Sequence, residues 1–433
     1  MSYASTLEYI HSVKWRGSKP GLSRTRALLA SIGNPEKKLR FVHIAGTNGK
    51  GSTAACIASI LQAAGYRTGL YTSPFILRFN ERMQINGRQI SDEELETITD
   101  YIRPHAEAMA DAPTEFELIT AVAMEYFARS ACDLVVLEVG MGGGLDSTNV
   151  IDTPECAVIT AMGLDHTREL GATIEEIAAA KAGIIKRCGD VAVYGNEPAA
   201  NRVFEQTCAQ QSARLRYADF SKVNVRSVGM DGCRFDYGAL QEIALPLAGI
   251  YQPYNAALAI TAVEILREKG WKIADADIRT GLQNVSWPGR FEVLHRNPAF
   301  ILDGAHNPHG ISATARSLAQ VFPGRKIVFL MGVMADKALD QMLPYLKPLA
   351  DQFVCVTPAN PRALPGEQLA GKIRAFGMQA RSCGTIEEGT RCAVSLAGAD
   401  GIVCALGSLY FSADVRRAAG ACFCTKSVSI NKT

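Results

Sequence analysis

The segment Phe41-Val42-His43-Ile44-Ala45-Gly46-Thr47-Asn48-Gly49-Lys50-Gly51-Ser52-Thr53 constrains this chain more than any other. Phe41 to Ala45 is a short apolar run and reads as a buried strand. A turn with three glycines and Lys50 follows, and Thr53 to Ala64 then has helical spacing, with Ile57, Ile60 and Leu61 on one face. Strand, glycine turn, lysine and helix together make a phosphate cradle. Glycines let backbone N–H groups close on the oxygens, the helix N-terminus adds positive potential, and the lysine adds a full charge. The strict G-x-x-x-x-G-K-[ST] spacing fails, because Ile44 stands at the first glycine position and Gly51 follows the lysine. A plain strand-to-helix turn is the alternative. Against it, three glycines and a lysine within six residues carry an entropic cost that a bound ligand would offset.

Strands and helices alternate along the rest of the chain. Thr68–Thr72, Asp133–Glu138 and Cys156–Ala161 read as strands, and Ile85-Asn86-Gly87-Arg88 as a hairpin turn. Helices are expected at Ser5–Val13, Leu22–Ile32, Glu115–Ala128, Ile174–Lys186 and Asn255–Lys269. Another is capped by Ser91 with Glu94 and should end before Pro104, and Thr173 with Glu176 repeats that cap. From about 195 to 245 the pattern weakens to short strands and polar turns. It restarts after Trp287-Pro288-Gly289-Arg290, with strands at Phe300–Leu302, Ile327–Met331, Phe353–Thr357 and Ile402–Leu406. A domain boundary therefore falls near residues 291–298, and the tail after Ala418 carries no clear element. Such alternation implies an α/β fold with a mostly parallel sheet covered on both faces, whose ligands gather at the C-terminal strand ends. Lys50, Ser73, Glu138 and His166 all fall just after such ends, and so on one rim.

Composition removes several functions. With a net charge of +2 and 20% charged residues, no basic stripe for nucleic acid is expected. No apolar run approaches a membrane span, and Met1 to Lys14 has no signal-like apolar core. Twelve scattered cysteines without a C-x-x-C pair point to a reducing cytoplasm.

The chemistry these residues support is that of a Mg²⁺–nucleotide enzyme. Lys50 would sit on the β/γ-phosphates, with the hydroxyls of Ser52 and Thr53 nearby. Glu138 ends an apolar strand beside Val139-Gly140-Met141-Gly142-Gly143-Gly144 and suits Mg²⁺, a hard cation that shares its ligands with substrate phosphates. Taken alone, His166 reads as a hydrogen-bonded structural histidine and Lys181 as a surface lysine, although the small residues from Ala178 to Ala182 hint at a close approach. None of this names a second substrate.

Several stretches in order resemble the folylpolyglutamate synthase/dihydrofolate synthase family, a branch of the Mur ligases. Gly46-Thr47-Asn48-Gly49-Lys50-Gly51-Ser52 resembles its phosphate loop, and Tyr71-Thr72-Ser73-Pro74 its substrate-side turn. Glu138-Val139-Gly140-Met141-Gly142-Gly143, Leu145-Asp146-Ser147-Thr148-Asn149 and Leu164-Asp165-His166-Thr167 follow. So do Lys181-Ala182-Gly183-Ile184, Asp303-Gly304-Ala305-His306-Asn307-Pro308, Gly332-Val333-Met334-Ala335-Asp336-Lys337, Asn360-Pro361-Arg362-Ala363-Leu364-Pro365 and Gly407-Ser408-Leu409-Tyr410. The resemblance implies a P-loop-type ATPase domain over residues 1–294 and a smaller Rossmann-like α/β domain over 295–433. It also implies a cytoplasmic, monomeric ligase that joins L-glutamate to dihydropteroate or to folates with ATP, with no nucleic-acid or membrane partner.

The resemblance carries roles over position by position. Gly46, Thr47, Asn48, Gly49, Lys50, Gly51 and Ser52 would hold ATP, with Asn255, Arg290 and Asp303. Ser73, Glu138 and His166 match Mg²⁺ ligands, which overrides the structural reading of His166. Lys181 matches a lysine that is carbamylated to serve a second ion, and Lys50, His166 and Lys181 form the catalytic set. Carbamylation needs a neutral amine, and an ordinary lysine has a pKa of about 10.4. Gly21, Thr114, Phe116, Glu117, Leu145, Asp146 and Ser147 would form the pteroate pocket, where Phe116 offers a stacking face. Three departures stand out: Gly144 where many members have arginine, Phe75 where histidine is common, and Ala180 where an acid precedes the lysine. The first two bear on substrate preference and the third on the carbamate. Another Mur-type amino-acid ligase is the nearest alternative. A P-loop switch or motor, turning over nucleotide without a carboxylate substrate, is the alternative of a different class.

Overall fold

The structure, a computed structural model, describes residues 2–12 and 21–424. Val13 of the expected first helix and residues 425–433 of the tail lie outside the described residues. The chain divides into two compact units. One comprises Met1–Val223, Tyr237–Ile243 and Tyr254–Val285, the other Asn224–Asp236, Ala244–Pro253 and Ser286–Thr433.

Among the described residues the strands form three sheets. The first contains β1 (Phe41–Ala45), β2 (Thr68–Tyr71), β3 (Met83–Ile85), β4 (Arg88–Gln89), β5 (Leu134–Glu138), β6 (Cys156–Ile159), β7 (Asp190–Val193) and β8 (Arg214–Tyr217), in the order β4-β3-β2-β5-β1-β6-β7-β8. From β2 to β8 all neighbours run parallel, and the β3–β4 hairpin adds an antiparallel edge. β9 (Val223–Gly229), β10 (Gly232–Tyr237) and β11 (Leu240–Leu245) make a small sheet. The last holds β12 (Glu292–Arg296), β13 (Ala299–Leu302), β14 (Ile327–Met331), β15 (Ala350–Cys355), β16 (Ala380–Ser382) and β17 (Ile402–Leu406), in the order β12-β13-β17-β14-β15-β16. Only β12 runs antiparallel to its neighbour among these.

β1 and β5 are buried along their whole length, as central strands of a two-faced parallel sheet must be. On one face Val135 and Leu137 pack with Leu28, Leu118 and Phe127 from the helices Ser23–Ser31 and Glu115–Arg129. On the other, Ile159 and Val191 pack with Ile177 and Phe204. β1 pairs with β5 on one side and β6 on the other, so the turns after these three strands open on the same edge. In the second unit Phe329 stacks on Phe353 with ring centroids 5.2 Å apart. Among the described residues no helix is long and apolar enough to cross a membrane.

Four elements differ from the sequence expectation. The helix Asp92–Glu107 passes through Pro104, because the proline lies in the last turn, and Ala108 N still closes on Pro104 O at 3.1 Å. The helix Ile174–Ala182 ends four residues short of Lys186, with Gly183 as its cap. A helix, Pro198–Gln211, occupies the stretch that read as short strands; its polar sequence hides the Ala200, Phe204, Cys208 stripe that it buries. Ser412–Cys424 is helical beyond Ala418.

Candidate active site

The turn after β1 is built so that no other residue type fits its key points. Gly46 has φ +147°, and a Cβ there would lie 1.9 Å from Thr160 Oγ1 and 2.9 Å from Thr160 N. Gly49 has φ +88°, and a Cβ there would lie 2.6 Å from Asn255 Oδ1, which sets Asn255 against the turn. The amides of Thr47 and Asn48 both donate to Ala161 O at 3.1 Å, and Thr47 Oγ1 donates to Gly163 O at 2.9 Å, so the turn is tied to the end of β6. The helix Lys50–Ala63 starts directly after Gly49, with Gly51 and Ser52 buried in its first turn. The first amides of a helix have no partner within the helix, and together with its dipole they suit an anion.

Lys50 Nζ lies 4.0 Å from Glu138 Oε1. The other oxygen of Glu138 accepts a hydrogen bond from Ser73 N at 3.3 Å. Lys181 is no surface residue: it is 5% exposed, and its ammonium nitrogen donates to Gly46 O at 2.9 Å. Burial, with the charge of Lys50 second, pulls its pKa down to about 7. Lys50, Ser73, Glu138 and Lys181 thus meet at the phosphate turn. His166 differs from them: it is exposed on the turn after β6, in a left-handed conformation (φ +51°), with its amide donating to Asp165 Oδ1 at 2.9 Å. Among the described residues no three His, Cys, Asp or Glu side chains converge as a metal-holding group. The Glu138 carboxylate, with Ser73 held against it through its amide, brings oxygen donors of the hard kind that binds Mg²⁺ together with phosphate and water.

A second group lies beyond the Tyr71 end of β2. The Tyr71 and Phe116 rings are 6.2 Å apart, and the Tyr71 hydroxyl is linked through Thr120 (3.4 Å) to Ser147 (3.0 Å). Thr114 caps the helix Glu115–Arg129 in a reciprocal box with Glu117. Glu117 is also paired with Arg24 at 3.0 Å, both side chains being buried. Asp146 is buried and accepts hydrogen bonds from Met141 N at 2.9 Å and from the amide and hydroxyl of Thr148 at 3.0 and 2.6 Å. Burial raises its pKa above the ordinary carboxylate value, and these donors offset only part of the rise. Leu145, by contrast, is 62% exposed, and Gly21 has open space where a side chain would stand. Arg24 was not legible as a site residue; its signal is an arginine on the apolar face of the helix Ser23–Ser31, beside Leu28. Of the three departures, Gly144 N donates to Ala180 O at 2.9 Å, which joins the glycine turn to the Lys181 helix. Phe75 packs on Phe79 with centroids 6.0 Å apart.

In the second unit Asp303 is 2% exposed. It accepts hydrogen bonds from Phe291 N (3.0 Å), the Tyr251 hydroxyl (3.1 Å) and Ala305 N (2.7 Å). Burial raises its pKa against the pull of Arg290, whose Nη1 contacts Gly289 O at 3.4 Å.

The chain is similar to known proteins. The Mur ligase middle domain matches residues 44–263, and the Mur ligase glutamate ligase domain matches residues 289–409. A dihydrofolate synthase/folylpolyglutamate synthase of Bacillus subtilis is 38% identical over 429 residues, covering 96% of this chain and 99% of the relative. A folylpolyglutamate synthase of Lacticaseibacillus casei is 40% identical over 379 residues, covering 84% and 88%. Among solved structures, Mycobacterium tuberculosis folylpolyglutamate synthase complexed with ADP superposes with a TM-score of 0.88 at 33% identity, covering 96% of this chain and 98% of that one. Escherichia coli FolC in complex with DHPP and ADP superposes at 0.85 and 30% identity, covering 97% and 98%. The chain therefore belongs to the dihydrofolate synthase/folylpolyglutamate synthase family of Mur ligases and is an ATP-dependent amide ligase.

Proposed function

We propose that the chain joins L-glutamate to the carboxylate of dihydropteroate, of reduced folates, or of both, through an acyl phosphate made from ATP. The reading is carried by one observation: Lys50, Ser73, Glu138 and Lys181 close around a phosphate turn, and the Tyr71–Phe116 and Thr120–Ser147 group begins two residues before Ser73. In this reading the turn from Gly46 to Ser52 holds the triphosphate, with Asn255, Arg290 and Asp303 assigned to the nucleotide. Thr114, Phe116, Glu117, Asp146 and Ser147, with Gly21 and Leu145, hold the pteroate. An ATP-binding domain over 1–294 and a C-terminal domain over 295–433 divide the work, in a cytoplasmic setting.

A carboxylate is a poor electrophile because its charge is delocalised. Its oxygen attacks the γ-phosphorus, ADP departs, and the resulting mixed anhydride is open to the glutamate amine. Phosphate then leaves, the amine loses a proton and the amide forms. Lys50 balances charge as two anions approach, and positioning does most of the rest. Mg²⁺, assigned to Ser73, Glu138 and His166, supplies Lewis-acid screening of the phosphates when bound. The pKa near 7 leaves about half of the Lys181 amine neutral at pH 7. The neutral amine can add to carbon dioxide and lose a proton, and the resulting carbamate would supply an anionic oxygen to a second ion. Purified protein given ATP and Mg²⁺ is expected to release ADP only when L-glutamate and a pteroate or folate are both present. Dihydropteroate and tetrahydrofolate run side by side, with product masses, separate the two activities. Steady ADP release that ignores both substrates would overturn the proposal in favour of a nucleotide switch or motor.

A further inference from the structure

We propose that His43 is a positioning residue for the acceptor side of the site: its Nε2–H fixes Thr148, and Thr148 fixes Asp146 and the glycine turn that follows Glu138. The inference rests on the assignment of Asp146 and Ser147 to the pteroate pocket.

His43 stands in the middle of β1, fully buried, with Leu137 of β5 and Ala157 of β6 as its register partners. An apolar residue would fill such a place in a parallel sheet. Burial holds the imidazole neutral, with a pKa down at about 3, and Lys186 adds to that effect. Its Nε2 lies 2.9 Å from Thr148 Oγ1. The tautomer follows from proton counting. Burial raises the pKa of Asp146, but its two oxygens each accept a backbone amide, Oδ1 from Thr148 and Oδ2 from Met141, and these donors favour the ionised carboxylate. An ionised carboxylate only accepts, so the 2.6 Å contact uses the single hydroxyl proton of Thr148. Thr148 Oγ1 must then accept from His43, which places the imidazole proton on Nε2. Among the described residues Nδ1 is left as a buried lone pair with no hydrogen-bond partner. That unpaired nitrogen costs stability, and a leucine in its place would not incur the cost. At this position the bond to Thr148 is the one hydrogen bond set against the unpaired Nδ1.

The consequence is a coupling of two halves of the site. β1 delivers the phosphate turn at its end. Through a side chain two residues before Ala45, the same strand holds Thr148 and Asp146, which staples Met141 of the glycine turn. Ser147, between them, meets Thr120 of the Tyr71–Phe116 group.

The test measures KM for the pteroate or folate substrate and for ATP, with urea unfolding in parallel, on His43→Leu, His43→Gln, Thr148→Val and Asp146→Asn. His43→Leu is expected to raise the acceptor KM about tenfold, equivalent to ~1.4 kcal/mol, with the ATP KM unchanged and stability no lower than wild type. His43→Gln, whose amide N–H can donate to Thr148, restores most of the loss. Thr148→Val breaks the same relay from its other end, so its effect and that of His43→Leu do not add in the double variant. An unchanged acceptor KM in His43→Leu, an equal loss for both substrates, or a glutamine variant as impaired as the leucine one overturns the role of His43. If Asp146→Asn raises the acceptor KM while His43→Leu and Thr148→Val do not, only this inference fails. If Asp146→Asn itself leaves the acceptor KM unchanged, the pocket assignment fails and takes the inference with it.

Discussion

Replacing Lys181 by methionine should stabilise the ligand-free protein while it abolishes turnover. Methionine matches the aliphatic stem and removes the amine. In the folded chain the pKa falls from the ordinary lysine value of 10.5 to about 7, chiefly because the group is buried. At 1.36 kcal/mol per unit, holding an ammonium there costs at most about 5 kcal/mol, and at pH 7 about 4 kcal/mol. Losing the bond to Gly46 O returns about 1–3 kcal/mol of that, so Lys181→Met should gain about 1–3 kcal/mol at pH 7. The pH dependence carries the sign. Between the folded and unfolded pKa values the unfolded chain binds more protons, so the wild type gains stability as pH rises from about 7 towards 10.5. From pH 6 to 9 that gain is about 3 kcal/mol, and the methionine variant lacks it. Urea unfolding of both proteins at pH 6, 7.5 and 9, in buffer freed of carbon dioxide, measures the difference. A variant less stable than wild type at pH 6, or a difference that does not shrink with pH, would refute the claim that this lysine is buried as a near-neutral amine.

Other perturbations test separate parts of the site. Gly46→Ala drives a Cβ to 1.9 Å from Thr160 Oγ1 at φ +147°, and should cost about 2 kcal/mol or more and abolish nucleotide binding, read by denaturant midpoint and ATP titration. Arg24→Met leaves the Glu117 carboxylate buried without its partner and should cost about 3–5 kcal/mol in urea unfolding. Adding Glu117→Gln to that variant should recover much of the loss, because the orphaned charge is gone. Glu138→Gln keeps the shape of the side chain but not its charge; turnover should fall by about 10²-fold or more, with a higher Mg²⁺ requirement and ADP affinity little changed, in a Mg²⁺ titration of activity.

What was legible in the chain was what local backbone chemistry decides. The phosphate turn could be read because glycines at 46 and 49 and a lysine at 50 act within one strand-turn-helix unit. Glu138 could be read because an acid ending an apolar strand stands out. The β3–β4 hairpin was equally plain, since Asn86 and Gly87 adopt the positive φ angles that a tight turn requires. Lys181 could not be read from its own neighbours. It sits on a helix of small residues, and only the approach of that helix to Gly46 buries it. Arg24 and Glu117 are 93 residues apart and meet only through the packing of two helices. The helix Pro198–Gln211 is not legible because its buried stripe, Ala200, Phe204 and Cys208, is interleaved with as many polar residues as apolar ones. His166 took its role from the family resemblance alone, and its exposed, left-handed turn gives no local reason for it.

The account rests on one chemical step, transfer of the γ-phosphoryl group to the acceptor's carboxylate at the turn that holds Lys50. Supplying the pteroate or folate acceptor with ¹⁸O in both oxygens of the reacting carboxyl group, together with ATP, Mg²⁺ and L-glutamate, tests that step directly by mass spectrometry of the released phosphate. One ¹⁸O per phosphate is the expected result, because the carboxylate oxygen that attacks phosphorus leaves with it. Phosphate that carries no label, beside a correctly formed amide product, would contradict the account.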